Sequence, residues 1–117
     1  MNFRLRIGAS HPAIANHSVL GQRLLPGLAY IDLLFQLFVS RGFDVATLEL
    51  RDFVIARPLV IAPGEEVEMH IRCDETAPDT WRLSLTGRAL SAGEAQGEEF
   101  AVANGRMHRV VATGFDV

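Results

Sequence analysis

From Leu28 to Ser40 the chain reads LAYIDLLFQLFVS, and apart from the amphipathic Tyr30 only Asp32, Gln36 and Ser40 are polar. A helix apolar on nearly every side must be surrounded by protein rather than laid on a surface. Pro26-Gly27 punctuates its start, and Arg41-Gly42 ends it, with Gly42 suited to the position after the C-cap where the backbone turns left-handed. Whatever else the chain forms has to wrap this one segment.

The remainder is strand-like. Phe3, Leu5 and Ile7 alternate with Asn2, Arg4 and Arg6, the period-two mark of a half-buried strand. Gly8–Asn16 is a loop containing Pro12, and Ser18–Leu25 a short extended piece. Beyond the helix, strands are expected over Thr47–Ile61, Glu66–Cys73, Trp81–Leu90 and Glu98–Val111. Their connectors, Asp74–Thr80 and Ser91–Gly97, are polar and carry Gly, Pro, Ser and Asp. One helix among antiparallel strands closes most simply as an α+β domain over residues 1–117, a sheet whose apolar face wraps the helix. A single helix covers such a sheet incompletely, so pairing of two subunits into a continuous sheet is expected.

Composition removes several function classes. With 117 residues and a net charge of −3, signs interleaved along the strands, nothing favours nucleic acid or an anionic membrane. The apolar run Leu24–Val39 is broken by Pro26, Asp32 and Gln36 and is too short and too polar to span a bilayer. Met1–Ile7 alternates rather than forming a basic-then-apolar leader, and the single Cys73 allows no internal disulfide, so a reducing, cytoplasmic setting is expected. All eleven basic residues are Arg and none is Lys, which excludes a Schiff-base or phosphate-loop lysine. The four His and Cys73 show no metal-ligand spacing, and neither G-x-S-x-G nor a dinucleotide glycine pattern occurs, so no metal or bound cofactor is expected.

Two patterns carry chemistry. His17 to Pro26 has the form H-x-x-x-G-x-x-x-x-P, with Gly21 inside it, and Asp32 to Gln36 has the form D-x-x-x-Q. The stretch HPAIANHSVLGQRLLPGLAYIDL resembles the start of the dehydratase domains of modular polyketide synthases, and LRDFVIARPLVI and GEEVEMHIRC resemble the strands that follow there. The resemblance implies the hotdog fold. In those synthases two hotdogs share a chain, the first supplying the histidine and the second the aspartate. The present helix carries its own D-x-x-x-Q, placed as in the single-hotdog hydroxyacyl-carrier-protein dehydratases, whose acid stands five positions after the Gly of a Pro-Gly pair. Here these are Gly27 and Asp32.

What the resemblance implies is loss of water from a 3-hydroxyacyl thioester, carried on the phosphopantetheine of an acyl carrier protein, to give a 2-enoyl thioester. Neutral His17 would take the α-proton and protonated Asp32 would donate to the departing β-hydroxyl, protonation states that call for a buried, pKa-raised carboxyl. Ile31, Leu33, Leu34 and Phe35 suggest apolar surroundings for Asp32, and Gln36 stands one turn on to orient it. Gly27 at the helix start offers a backbone N–H to the thioester oxygen, with Gly21 a second place of close approach and Tyr30 a candidate wall of the acyl tunnel. By family likeness His17 of one subunit would meet Asp32 of the other in a homodimer.

Competing readings stand beside this one. By spacing alone Asp32, Gln36 and Ser40 form a stripe that would face solvent. A hotdog thioesterase, a double-bond isomerase or ether-forming cyclase, and a non-catalytic hotdog half that pairs with a second hotdog are the functional alternatives. His11 is read as loop-shaping, His70 and His108 as surface residues and Cys73 as core. Arg23 and Arg57 are candidates for contact with an acidic carrier protein, though scattered arginines are ordinarily just solvated.

Overall fold

A computed structural model describes residues 1–8, 18–19, 22–24, 27–57, 59–61, 65–91 and 94–110. In chain order these form β1 (Asn2–Gly8), β2 (Ser18–Val19), β3 (Gln22–Leu24), α1 (Gly27–Ser40), a 3-10 turn (Val45–Thr47), β4 (Leu48–Ile55), β5 (Val60–Ile61), β6 (Glu66–Ala77), β7 (Thr80–Ser91) and β8 (Glu94–Arg109). Five of the strands make one antiparallel sheet in the order β1-β6-β7-β8-β4. The short strands make a second sheet in the order β2-β3-β5.

The topology explains why one side of the helix ends up buried. β1 and β4 are the two edges of the large sheet, and α1 lies between them in the chain. The polypeptide therefore leaves one edge, lays its helix across the apolar face, and rejoins at the other edge. That face is built by alternation: Val67, Met69, Ile71 and Cys73 on β6 and Trp81, Leu83 and Leu85 on β7 are all buried, while residues between them turn outward. From α1, Tyr30, Leu34 and Phe38 meet this layer with no exposed surface. They recur every fourth residue, so they form one ridge.

The helix ends as its sequence requires. Gly42 takes φ +97°, Gly42 N–H donates to Val39 O and Phe43 N–H to Phe38 O, the paired bonds of a Schellman cap. The apolar contact that accompanies such a cap is present as an edge-on pair of Phe38 and Phe43 rings, centroids 5.4 Å apart. Trp81 from β7 closes the group edge-on to both, at 5.3 Å from Phe38 and 5.1 Å from Phe43. This triad bolts the helix end to the middle of the sheet.

Three strand boundaries differ from expectation. The continuous strand expected over Thr47–Ile61 is two strands in two sheets, β4 and β5. Pro58, which has no N–H to give a ladder, lies at the break, and the crossing is held by Ala56 and Arg57 N–H both donating to Val102 O. The connector expected over Asp74–Thr80 is mostly strand, because the β6–β7 hairpin runs on to a turn at Pro78 and Asp79, the latter at φ 60°. Asp74–Ala77 are exposed, so the ribbon there has no core face and accepts polar residues on both sides. Likewise β8 begins at Glu94, inside the connector expected over Ser91–Gly97.

One irregularity is built into the edge. Between Arg51 and Val54 the β4–β8 register shifts, Asp52 takes φ 54°, and the strand bulges. Opposite it stands Gly105, where an added Cβ would lie 3.2 Å from Phe53 Cα. A side chain there would push into backbone.

Candidate active site

The first turn of α1 meets the small sheet through Tyr30, which is hydrogen-bonded to Leu59 at the entry to β5. Gly27 is the first residue of α1, so its N–H is among the first four, which have no carbonyl partner within the helix. His17, Gly21, Pro26 and His11 lie outside the described residues, but Ser18, covalently bonded to His17, opens β2. Ser18 and Val19 pair with Arg23 and Gln22, and Arg23 and Leu24 pair with Ile61 and Val60. The strand next to the motif histidine is thus carried by β3, and β3 by β5.

Asp32 and Gln36 are brought together. Gln36 Nε2 donates to Asp32 Oδ2 at 2.8 Å, on the exposed side of α1. Each helical residue advances about 100°, which sets Asp32 and Gln36 opposite the Tyr30–Leu34–Phe38 ridge. The expectation that Ile31, Leu33, Leu34 and Phe35 enclose the carboxyl is therefore corrected. Neighbours in sequence point to other faces of the helix, Leu34 into the core, and Asp32 itself is exposed on this chain. Enclosure of that carboxyl requires something beyond the described residues of one copy.

Tyr30 also differs from expectation. It has no exposed surface from which to line a tunnel, and its hydroxyl oxygen accepts a buried hydrogen bond from Leu59 N–H at 3.1 Å. Burial holds the phenol above its ordinary pKa, against the opposing pull of the Leu59 N–H, so it stays neutral. Its ring lies 6.5 Å from that of Phe53, which packs at the β4 bulge. Sequence reasoning missed the Tyr30–Leu59 link because its partners are 29 residues apart. A tyrosine among purely apolar helix positions was the available signal, since a buried phenol ordinarily finds a partner.

Other singled-out residues fall as follows. Cys73 is buried, and desolvation pushes its thiol up to about 11. Rather than lying open at the surface, His70 and His108 are half-covered on the outer face of the large sheet: His70 Nε2 is 3.1 Å from Asn2 Oδ1, and His108 Nδ1 is 3.4 Å from Thr80 Oγ1. The Arg57 guanidinium stacks on the Phe100 ring, 4.2 Å from its centroid. Among the described residues no helix is long and apolar enough to cross a membrane.

Comparison with known proteins converges on one family. Residues 2–88 match the family described as polyketide synthase dehydratase domain. The chain is 35% identical over 112 residues to the polyketide synthase PksM of Bacillus subtilis (strain 168), covering 96% of this chain and 3% of that protein. Against PksL of the same organism it is 33% identical over 105 residues, covering 90% of this chain and 2% of that one. It therefore spans a small fraction of the synthases it matches. Among solved structures, a monomeric dehydratase domain from a trans-acyltransferase polyketide synthase split module superposes with a TM-score of 0.90 at 31% identity. That match takes in 99% of this chain and 42% of the other. An N-terminal dehydratase from the difficidin assembly line shares the fold, with a TM-score of 0.85 at 20% identity over 97% of this chain and 39% of that one. A five-stranded antiparallel sheet around one helix, reached from periodicity and from geometry alike, is the hotdog of these dehydratases, and the chain belongs to the polyketide synthase dehydratase domain family, as its N-terminal hotdog.

Proposed function

We propose that this hotdog supplies the base half of a dehydratase site acting on 3-hydroxyacyl thioesters held by an acyl carrier protein. The observation that carries the reading is the fit of 99% of the chain onto 42% of a dehydratase described as monomeric, together with H-x-x-x-G-x-x-x-x-P at His17–Pro26. A dehydratase on that plan holds more than half its residues beyond the part this chain resembles. The exposed Asp32 agrees with a site completed from outside.

In this reading neutral His17 removes the α-proton, the C–H electron pair becomes the new Cα–Cβ double bond, and the β-hydroxyl leaves as water on taking a proton from an acid across the site. Charge developing on the thioester oxygen falls to backbone N–H groups at the start of α1, Gly27 first among them. The thioester itself stays intact, which separates dehydration from thioesterase chemistry. His17→Ala is expected to lower formation of the enoyl thioester about 10²–10⁴-fold without changing thermal stability. Mass spectrometry of a 3-hydroxyacyl-pantetheine substrate checks it, and release of free acid without an alkene would sink the proposal.

A second reading rests on the Gln36–Asp32 hydrogen bond, which holds the carboxyl in one orientation. There the acid is Asp32 of a second copy, and the site forms across a homodimer. Mixing His17→Ala with Asp32→Asn chains distinguishes the two. Recovery of activity, about a quarter of wild type for random pairing, supports the two-copy site; no recovery, with an active unmixed Asp32→Asn chain once a second hotdog is supplied, supports the base-half reading.

A further inference from the structure

We propose that the Tyr30 hydroxyl is a positioning residue for the base-bearing segment, fixing β5 and, through β3, the strand that begins one residue after His17. This rests on His17 being the base. The path is short and continuous. Tyr30 stands in the first turn of α1, fully buried, and its oxygen accepts the Leu59 N–H at 3.1 Å. Leu59 leads directly into β5, whose Val60 and Ile61 pair with Leu24 and Arg23 of β3. Gln22 and Arg23 then pair with Val19 and Ser18, and Ser18 is bonded to His17.

Ladders of two residues do not hold their own register. The segment feeding them is anchored at its near end, where Ala56 and Arg57 N–H donate to Val102 O, and Pro58 supplies no donor. Leu59 N–H is the next donor along the chain, and the atom that receives it belongs to α1. Because Gly27 opens the same helix, Tyr30 ties the segment next to the base to the element that carries the candidate oxyanion donor. A phenylalanine would fill the same volume, so what the hydroxyl adds is a fixed height for Leu59 relative to the helix.

The test is Tyr30→Phe in the active assembly, after His17→Ala has established the base there. A displacement of the base near 1 Å costs about 10²-fold, so a fall in kcat of about 10- to 100-fold is expected with KM within about twofold. Hydrogen exchange on the full chain, which needs no activity, should show faster exchange at Leu59, Arg23 and Leu24 with β7 unchanged. Phe38→Leu, on the same buried ridge but at the other end of α1, is the control: it should lower the melting temperature and leave kcat alone. An unchanged kcat in Tyr30→Phe, an equal fall in Phe38→Leu, or exchange quickened evenly over both sheets would overturn the proposal. Full activity in His17→Ala would instead remove the base reading, a failure seen before Tyr30 is touched.

Discussion

The two sheets of this molecule are held in different ways. β6 and β7 are twelve residues each and β8 is sixteen, and each buries an apolar row under α1. β2, β3 and β5 are two, three and two residues long. The large sheet draws its stability from long buried rows, whereas the small one rests on short ladders, on the buried side chains of Leu59 and Ile61 at β5 and on a tyrosine hydroxyl. Segments of the second kind open locally at a fraction of the global free energy. In the proposed reading the base lies next to the small sheet, beside β2, while α1, which carries the candidate oxyanion donor, is packed on the large sheet.

The comparison breaks most sharply at Phe38. Its ring is fully buried against Phe43 and Trp81, and Phe38→Ala should cost about 3–5 kcal/mol. Urea unfolding measures the total, and residue-level hydrogen exchange tests the contrast. Protection in the middle of β7 should fall by the full amount while that of Arg23 and Leu24 barely moves; equal losses in both sheets would mean the molecule opens as one unit.

A smaller effect follows from Cys73 on β6. Its thiol is pushed up to about 11 in the folded chain from 9.0. The sign is set by which state keeps the proton: between these values the unfolded chain has lost it and the folded chain retains it, so stability is full below about pH 9 and falls as pH rises towards 11. The loss should approach about 2–3 kcal/mol. Comparing wild type with Cys73→Val by denaturant titration across this window isolates it, and a difference independent of pH would refute it. Alkylation of the native chain at pH 8 should likewise be slow.

Least is expected from the outer face of the large sheet. Arg4 and Glu68 meet diagonally across β1 and β6 at 3.2 Å, with Arg4 open to water and Glu68 half-exposed. A double-mutant cycle to alanine should find about 0–1 kcal/mol, vanishing in high salt. A larger coupling would mean that β1 is held by its charges rather than by the row Phe3, Leu5 and Ile7.

Much of this was legible in the sequence, for a physical reason: features written by local periodicity were read correctly. The alternation of Phe3, Leu5 and Ile7, the apolar run of α1 and the Gly42 stop each depend on residues within one or two turns of each other. What escaped depends on distant partners or on context. Polar Asp74–Thr80 looked like a loop because a ribbon with both faces in water lacks an apolar alternation. Asp32 looked enclosed because its sequence neighbours are apolar, whereas a helix sends those neighbours to other sides. Pro58 did mark the break between β4 and β5, and its missing N–H was the signal to weigh. His17 and Gly21 lie outside the described residues, so for them the motif remains the guide.

The placement of β1 has a consequence for how the chain is made. Arg4 sits across from His70, 66 residues later, whereas β6 and β7 join through a tight turn. Emerging from a ribosome at roughly 5–20 residues per second, β1 waits roughly 3–13 s for its partner while the β6–β7–β8 meander folds almost as it appears. Contacts so distant in sequence also form late in refolding. An apolar, alternating strand left unpaired for that time is a template for other chains, and the arginines at positions 4 and 6 are well placed to keep a waiting β1 from annealing to a wrong partner.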